Sequence, residues 1–428
     1  MELYLHVGMF TQHRGRRFRL RSRRRVMELY LQFGYGMMQH CRHLISAWRG
    51  GTVVLSPRDL NDRQLRTLAS EITDLDGGHV LLDPQFYLPH ADHERLCSHE
   101  YWPSNYETGT FFQGNDLRHL IKTLLDLNEA VGATEIILPG LLATTVDDAW
   151  LESERAVLEA GRELAGNRSV VTTIALDADT TRNQDHIAFL LEAAPGWQSD
   201  GFYIVCEHPE GNYLVQDPNW LANVLDLAAG LRLSGAKVIL GYCNHQMLAA
   251  TIVQVDAICS GTWMNVRSFP PDKFRSAFEE EIRQRATWYY CPQALSEYKV
   301  PFLDIAQRQN LLERMAPPPE LDGGYARHLF EGPQPTTVGF SEQLAFRHYL
   351  HALRGQVQAL DYAGYDEART AQESLLSEAE DLLGTLSSAG VRGQLRDFAD
   401  CVDVNRAALA LLDSMRGPIL RRRWSSLD

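Results

Sequence analysis

Glu207 with His208, and Asn244 with His245, each place a carboxylate or an amide beside an imidazole. Such pairs can move protons near neutral pH and orient a carbonyl. Each pair closes a short apolar run, 201–205 and 237–241; a third run, 255–259, ends in the Cys259 thiol, with Trp263 and Arg267 just beyond. Neighbours on an extended chain face opposite ways, so at most one member of each pair enters a shared site. Cys259 is a nucleophile by type, yet nothing in the sequence around it would lower its pKa, and a buried structural thiol is the blander alternative. Asp59, Asp83, Gln85, Asp177 and Asp179 also close apolar runs. Asp59 and Asp179 read as helix caps. Asp83 follows the apolar Val80, Leu81 and Leu82, precedes a proline and starts no helix, so it is expected to point into the rim.

These residues need a scaffold that brings strand ends together. The chain supplies eight apolar runs: MELYLQFGYG from Met27, TVVLSPRDL, HVLLDPQFY, TEIILPG, SVVTTIALDAD, and the three above. Amphipathic stretches at helical spacing lie between them, among them DRQLRTLASEITDLD behind an Asn61 cap and DPNWLANVLDLAAGLRLSGA. Alternating strand and helix patterns predict parallel βαβ units. Eight units in about 250 residues suit a closed (β/α)8 barrel of the TIM type, whose chemistry sits at the C-terminal strand ends. An open doubly wound sheet is the rival, but no GxGxxG or GxxxxGK follows any strand. The helical stretch DKFRSAFEEEIRQRA is a candidate to close the barrel. The expected layout is a basic, disordered or mis-started segment over 1–26 and the barrel over 27–285. A Pro/Gly-rich connector over 286–340 and an α-helical region over 341–428 follow.

The loop after the third strand gathers His90, Asp92, His93, Cys97 and His99. These are metal-ligand types, but their spacing matches no defined motif and no metal is assigned. With Tyr87, Tyr101, Trp102, Tyr106, Phe111 and Phe112, the loop is expected to be a lid over a planar or apolar ligand.

The composition, 45% hydrophobic and 22% charged over 428 residues, is that of a globular protein. No apolar run reaches membrane-spanning length, and the start lacks a signal-peptide core, so a cytoplasmic protein with no membrane partner is expected. Seven scattered cysteines without a CxxC pair fit reduced thiols. Residues 1–26 hold eight arginines and one glutamate, so the −14 of the whole chain conceals a body at −21. That acidity argues against a broad nucleic-acid surface while leaving a local basic groove open. MELYL occurs at residues 1–5 and again at 27–31, which suggests Met27 as the true start.

The stretch DGFYIVCEHPEG, then KVILGYCNHQMLAATIVQVDAICSGTWMNVR, resembles the tail of the tRNA-guanine transglycosylase barrel. HVLLDPQFY stands where that family has its LTDSGGFQ strand, and AFRHYLHALRGQVQAL is similar to its C-terminal helix. The resemblance implies a barrel and gives Asp83 the role of recognising a base and handling its proton. It implies a transferase acting on a purine or 7-deazapurine base or nucleotide, within nucleic acid or free. Asp177 and Glu207 are then the expected acid–base groups, with Cys259 at the family's nucleophile position. Gln85, His208, Asn244, His245, Trp263 and Arg267 are the expected substrate contacts. This chain departs from the family at telling places. Asp256 matches the first aspartate of DMFDC, but Cys259 replaces the nucleophilic second one; VCEHPEG replaces a glycine-rich segment. Of the family's zinc cluster only Cys291 and His348 remain, so neither zinc nor any other cofactor is expected. A non-catalytic barrel that uses its helical C-terminus as a binding surface, and an unrelated metal-assisted hydrolase, stay open as alternatives, as does a homo-oligomer.

Overall fold

The structure is a computed structural model and describes residues 26–278 and 286–427. The basic N-terminal segment, apart from Val26, and residues 279–285 of the expected closing helix lie outside the described residues; its first part forms only the 3₁₀ turn Pro271–Phe274.

The eight expected strands form. They are β1 Glu28–Gln32, β2 Gly51–Leu55, β3 Gly78–Leu82, β4 Ile136–Ile137, β5 Val170–Leu176, β6 Gly201–Cys206, β7 Lys237–Leu240 and β8 Ala257–Ser260. All pair in parallel, in the order β3-β2-β1-β8-β7-β6-β5-β4. The seam between β3 and β4 lacks a full ladder but is bridged by Thr134 N–H donating to the Val80 carbonyl at 3.1 Å. The sheet is therefore a nearly closed barrel, α/β and TIM-like.

Side chains alternate across the strands. Tyr30, Val54, Leu81, Val171, Tyr203 and Cys259 fill the interior, whereas Leu29, Leu31, Val53 and Ile258 face the helices. The helices follow the apolar spacing: α1 Met38–Trp48, α2 Asp62–Thr73, α3 Asn115–Ala130, α4 Asp148–Ala165, α5 Gln184–Ala193 and α6 Pro218–Leu233. Asn61 and Gln64 form a reciprocal capping box that fixes where α2 begins. At its other end the chain turns straight into β3 at Gly78, where a Cβ would lie 2.0 Å from the Ile72 carbonyl oxygen.

The outer ring departs from eight regular strand–helix units. After β7, His245–Val253 winds as a 3₁₀ segment whose nine residues are all buried. After β8 the chain crosses the barrel mouth. It then forms the hairpin β9 Trp288–Cys291 and β10 Ser296–Lys299, followed by α7 Val300–Arg308. Short turns lead to three long helices, α8 Glu342–Ala359, α9 Tyr365–Ser388 and α10 Ala399–Arg423.

These helices complete the ring. The α8 helix packs on β1 and α1, α9 on the 3₁₀ segment, and α10 on α6. Buried polar links pin them in register: Gln372 donates to the Thr251 hydroxyl at 2.8 Å, and Gln246 to the Asn405 side-chain oxygen at 3.0 Å. The cover from α10 also explains why α6 is apolar nearly all round. Among the described residues no helix is long and apolar enough to cross a membrane.

Candidate functional site at the barrel mouth

Asp83 leaves the end of β3 and is fully buried at the C-terminal end of the barrel. Its Oδ1 accepts from the Tyr87 hydroxyl at 2.7 Å and the Gln85 backbone N–H at 2.9 Å. Its Oδ2 accepts from the Tyr242 hydroxyl at 2.7 Å, with the Tyr203 hydroxyl at 3.4 Å. Burial pushes this carboxyl above the usual aspartate range; the bonds from Tyr242, Tyr87 and Gln85, and the Lys273 ammonium, work the other way. The Gln85 amide joins the network by donating to Tyr242 and to Ser56. Tyr203 also donates to Gln32, whose own amide nitrogen is buried without a partner.

Gln85 and Tyr242 both adopt left-handed backbone, with φ of 56° and 54°. Neither is a glycine, so each conformation costs roughly 1–3 kcal/mol and persists only where its surroundings enforce it. Two such residues around one buried carboxyl mark the mouth as the place to seek function.

Above this network the chain after β8 lays down a cover. Phe269 and Phe274 pack against Tyr87, and Phe269 also against Tyr242. The Lys273 ammonium sits 3.9 Å from the centre of the Tyr242 ring. The cover is tied down by Arg58 donating to the Lys273 carbonyl at 2.7 Å and by a backbone bridge between Glu207 and Phe269.

The residues expected from sequence fall into separate groups. Asp83 and Gln85 meet at the mouth. Cys259 points into the barrel interior close to Asp83, where burial holds its thiol well above the ordinary range and no cation lowers it enough to matter. A thiolate nucleophile does not form there. Native-state alkylation is therefore expected to label Cys97, the one half-exposed cysteine of the seven, long before Cys259. Peptide mapping in which Cys259 reacts as fast as Cys97 would contradict this assignment.

Asp177 caps the short helix Ala178–Arg182, accepting from Thr180 N–H at 2.7 Å. Glu207 is half-buried beside it, accepts from Ala178 N–H, and is pushed upward by burial and then by the neighbouring aspartates. Phe269 links Glu207 to the tyrosines of Asp83, its backbone bridging to Glu207 and its ring packing on Tyr87 and Tyr242. His208 is turned away, bonded to the Asn212 carbonyl and edge-on to Trp220, and burial lowers it to about 4.

Asn244, His245 and Arg267 form a different centre, against the C-terminal elements. Asn244 caps the 3₁₀ segment and donates to the Tyr213 carbonyl. His245 lies among the rings of Tyr213, Tyr290, Tyr349 and Phe398, and burial lowers it to about 4. Arg267 is buried, stacked 3.4 Å from the Tyr349 ring centre and paired with Glu297 on β10. Trp263 donates to the Tyr35 carbonyl and packs on Phe346 of α8.

The loop after β3 spends its polar groups on structure. His93 caps the helix Glu94–Cys97, His99 bonds the Pro57 and Leu60 carbonyls, and Asp92 accepts from Ser276. Of its aromatics Tyr87 bonds Asp83, Tyr101 donates to the Pro84 carbonyl at 2.7 Å and Trp102 packs on the same buried cluster; Tyr106, Phe111 and Phe112 cluster with Phe86 and one another. Among the described residues no group of three or more His, Cys, Asp or Glu side chains is placed to hold a metal ion.

Gln32, Tyr203 and Lys273 belong to the site and were not expected. The alternation gave the signal for two of them. In β1 the inward Tyr30 puts Gln32 inward two residues later, and in β6 Tyr203 occupies the inward position before Val205. Lys273 had none, because it arrives on an irregular segment.

No family model matches the chain, and no curated protein matches it. Solved structures give distant likenesses. One is a glucosidase from Croceicoccus marinus, 10% identical with a TM-score of 0.32, covering 54% of this chain and 58% of that one. Another is triosephosphate isomerase from Bartonella henselae, 13% identical with a TM-score of 0.31, covering 55% of this chain and 92% of that one. A third is the carboxyl transferase domain of pyruvate carboxylase from Rhizobium etli, with oxamate and biotin, 13% identical with a TM-score of 0.36, covering 92% and 79%. None of the three is a transglycosylase by name. At these values they carry no argument about what this chain does; the barrel rests on its own strand pairing.

Proposed function

We propose that this chain is a transglycosylase-like barrel that binds a purine or 7-deazapurine base at its mouth, with Asp83 reading the base. The observation that carries the reading is the fixed orientation of one buried carboxyl at the end of β3, held by two tyrosine hydroxyls and a backbone N–H. Burial favours the protonated form of this carboxyl, and a carboxyl that takes up a proton can both donate and accept, which suits the mixed donor–acceptor edge of an oxopurine. The flanking rings of Tyr87, Tyr242 and Phe269 supply flat apolar faces for the heterocycle once the cover lifts. The resemblance around HVLLDPQFY supports the same role for Asp83. Covalent exchange through Cys259 is not part of the proposal, since its thiol is held protonated. Acid–base work on the bound base would fall to Asp83 and to Glu207, which the Glu207–Phe269 bridge ties to the cover.

The test is a thermal and calorimetric titration of the full chain with guanine, 7-deazaguanine, adenine and uracil. At a hundredfold excess over its Kd a ligand stabilises the folded state by about 2.7 kcal/mol. Guanine and 7-deazaguanine are expected to do so and uracil is not. If none of the four binds, or if uracil binds as well as guanine, the reading is wrong.

A further inference from the structure

Outside the mouth, the groove between α1 and α8 collects cations on an otherwise acidic body. Arg347, His351 and Arg354 lie four and three residues apart on α8, which puts them along one face. Opposite them α1 presents His40, His43 and Trp48. Arg354 stacks 4.8 Å from the Trp48 ring centre, and the Trp48 indole N–H donates to His351 at 3.2 Å. His43 bonds the Tyr325 hydroxyl at 2.9 Å. The strip reaches the mouth through His40 against Phe346 and Phe346 against Trp263.

Two observations point to an absent anion. Among the described residues neither Arg347 nor Arg354 forms an ion pair, unlike Arg42 on α1, which pairs with Glu71 of α2. Arg347 Nε is moreover buried without a partner, and so is Nδ1 of His40, a side chain only 8% exposed. Buried polar atoms without partners cost about 1–3 kcal/mol each, and native structures keep few of them. The local field is positive: after burial itself, the Arg347 charge is the next influence lowering both His40 and His43. The acids facing the strip are Asp322 towards His351 and Glu28 towards Arg354.

We infer that the α1–α8 groove is a phosphate-binding site in which Arg347, flanked by His40 and His43, takes the anion. The guanidinium fork matches two phosphate oxygens, and neutral imidazoles donate without adding charge. The phosphate could belong to a small phosphorylated ligand or to a polynucleotide backbone, and the chemistry is the same. The site does not depend on what the mouth binds.

Calorimetric titration of the full chain with inorganic phosphate, a nucleoside monophosphate and a short single-stranded oligonucleotide tests it. At least one probe is expected to bind, and Arg347→Gln to weaken it about tenfold or more. Arg42→Gln, which removes an arginine already paired, is expected to leave binding unchanged. An oligonucleotide that binds more tightly than the monophosphate, and more so at low salt, assigns the phosphate to a polynucleotide; equal affinities assign it to a small ligand. An unchanged unfolding midpoint in Arg347→Gln shows that lost binding is not lost folding, and Arg347→Lys, which keeps the charge without the fork, is expected to fall between. Failure of all three probes to bind, or identical affinities in wild type and Arg347→Gln, overturns the inference.

Discussion

Replacing Glu297 by alanine is expected to lower the stability of the folded chain by about 3–5 kcal/mol, the cost typical of stranding a buried partner charge. Glu297 lies on β10 and is 3% exposed. Both its oxygens face Arg267 Nη1 at 3.2 Å, and Arg396 donates to Oε2 at 2.8 Å. Removing the carboxylate leaves Arg267 charged, buried and pressed on the Tyr349 ring. Burial alone would raise the Glu297 carboxyl, but Arg396 and Arg267 outweigh it and hold the group at about 2. A depressed carboxyl contributes stability that is complete above its unfolded pKa of about 4.3 and is lost as pH falls towards 2. Wild type should therefore weaken through that acid window, and Glu297→Ala should lack this part of the slope. Urea unfolding from pH 7 down to pH 2 measures both effects. A midpoint within error of wild type at pH 7 would show that the triad is solvated and idle. The double change Arg267→Met with Glu297→Leu should recover part of the loss, since it removes the fully buried charge and leaves only the more exposed Arg396 without its carboxylate.

That cluster also shows where sequence reading stops. Arg267 was legible as a candidate contact because it follows β8, yet its partner is thirty residues further on, in a hairpin that resembled a connector. Ion pairing across such a separation has no local signature. The strands were legible because parallel strands buried on both faces read as apolar runs bounded by polar ends. Asp83 was legible for the same reason, as a charge closing such a run without a helix to cap. Asp177 looked equivalent and is not: the residues after it start a short helix, and its side chain caps that helix. The completion of the outer ring by α8, α9 and α10 was hidden because amphipathic patterns show that a helix has a buried face without showing what covers it. The left-handed backbone at Gln85 and Tyr242 was equally hidden, since neither residue type announces it.

Asp83→Asn is expected to strengthen the fold while removing the binding proposed for the mouth. The native environment raises this carboxyl, chiefly through burial, so the folded protein holds the proton more tightly than the unfolded chain. For a raised carboxyl the contribution to stability is greatest below the unfolded pKa of about 3.9 and declines as pH rises towards the folded value. Asparagine mimics the protonated acid: Oδ1 still accepts from Tyr87 and the Gln85 N–H, and the amide donates where Oδ2 accepted. It cannot ionise, so the decline disappears and the advantage over wild type grows with pH. Binding of guanine or 7-deazaguanine should fall by about tenfold to a hundredfold, because a fixed amide cannot switch between donating and accepting on the base edge. Opposite signs in stability and affinity distinguish a carboxyl retained for function from one retained for packing. Equilibrium unfolding at several pH values, set beside titration of the same variant, reads both signs; a variant less stable than wild type with unchanged base affinity would assign Asp83 to structure alone.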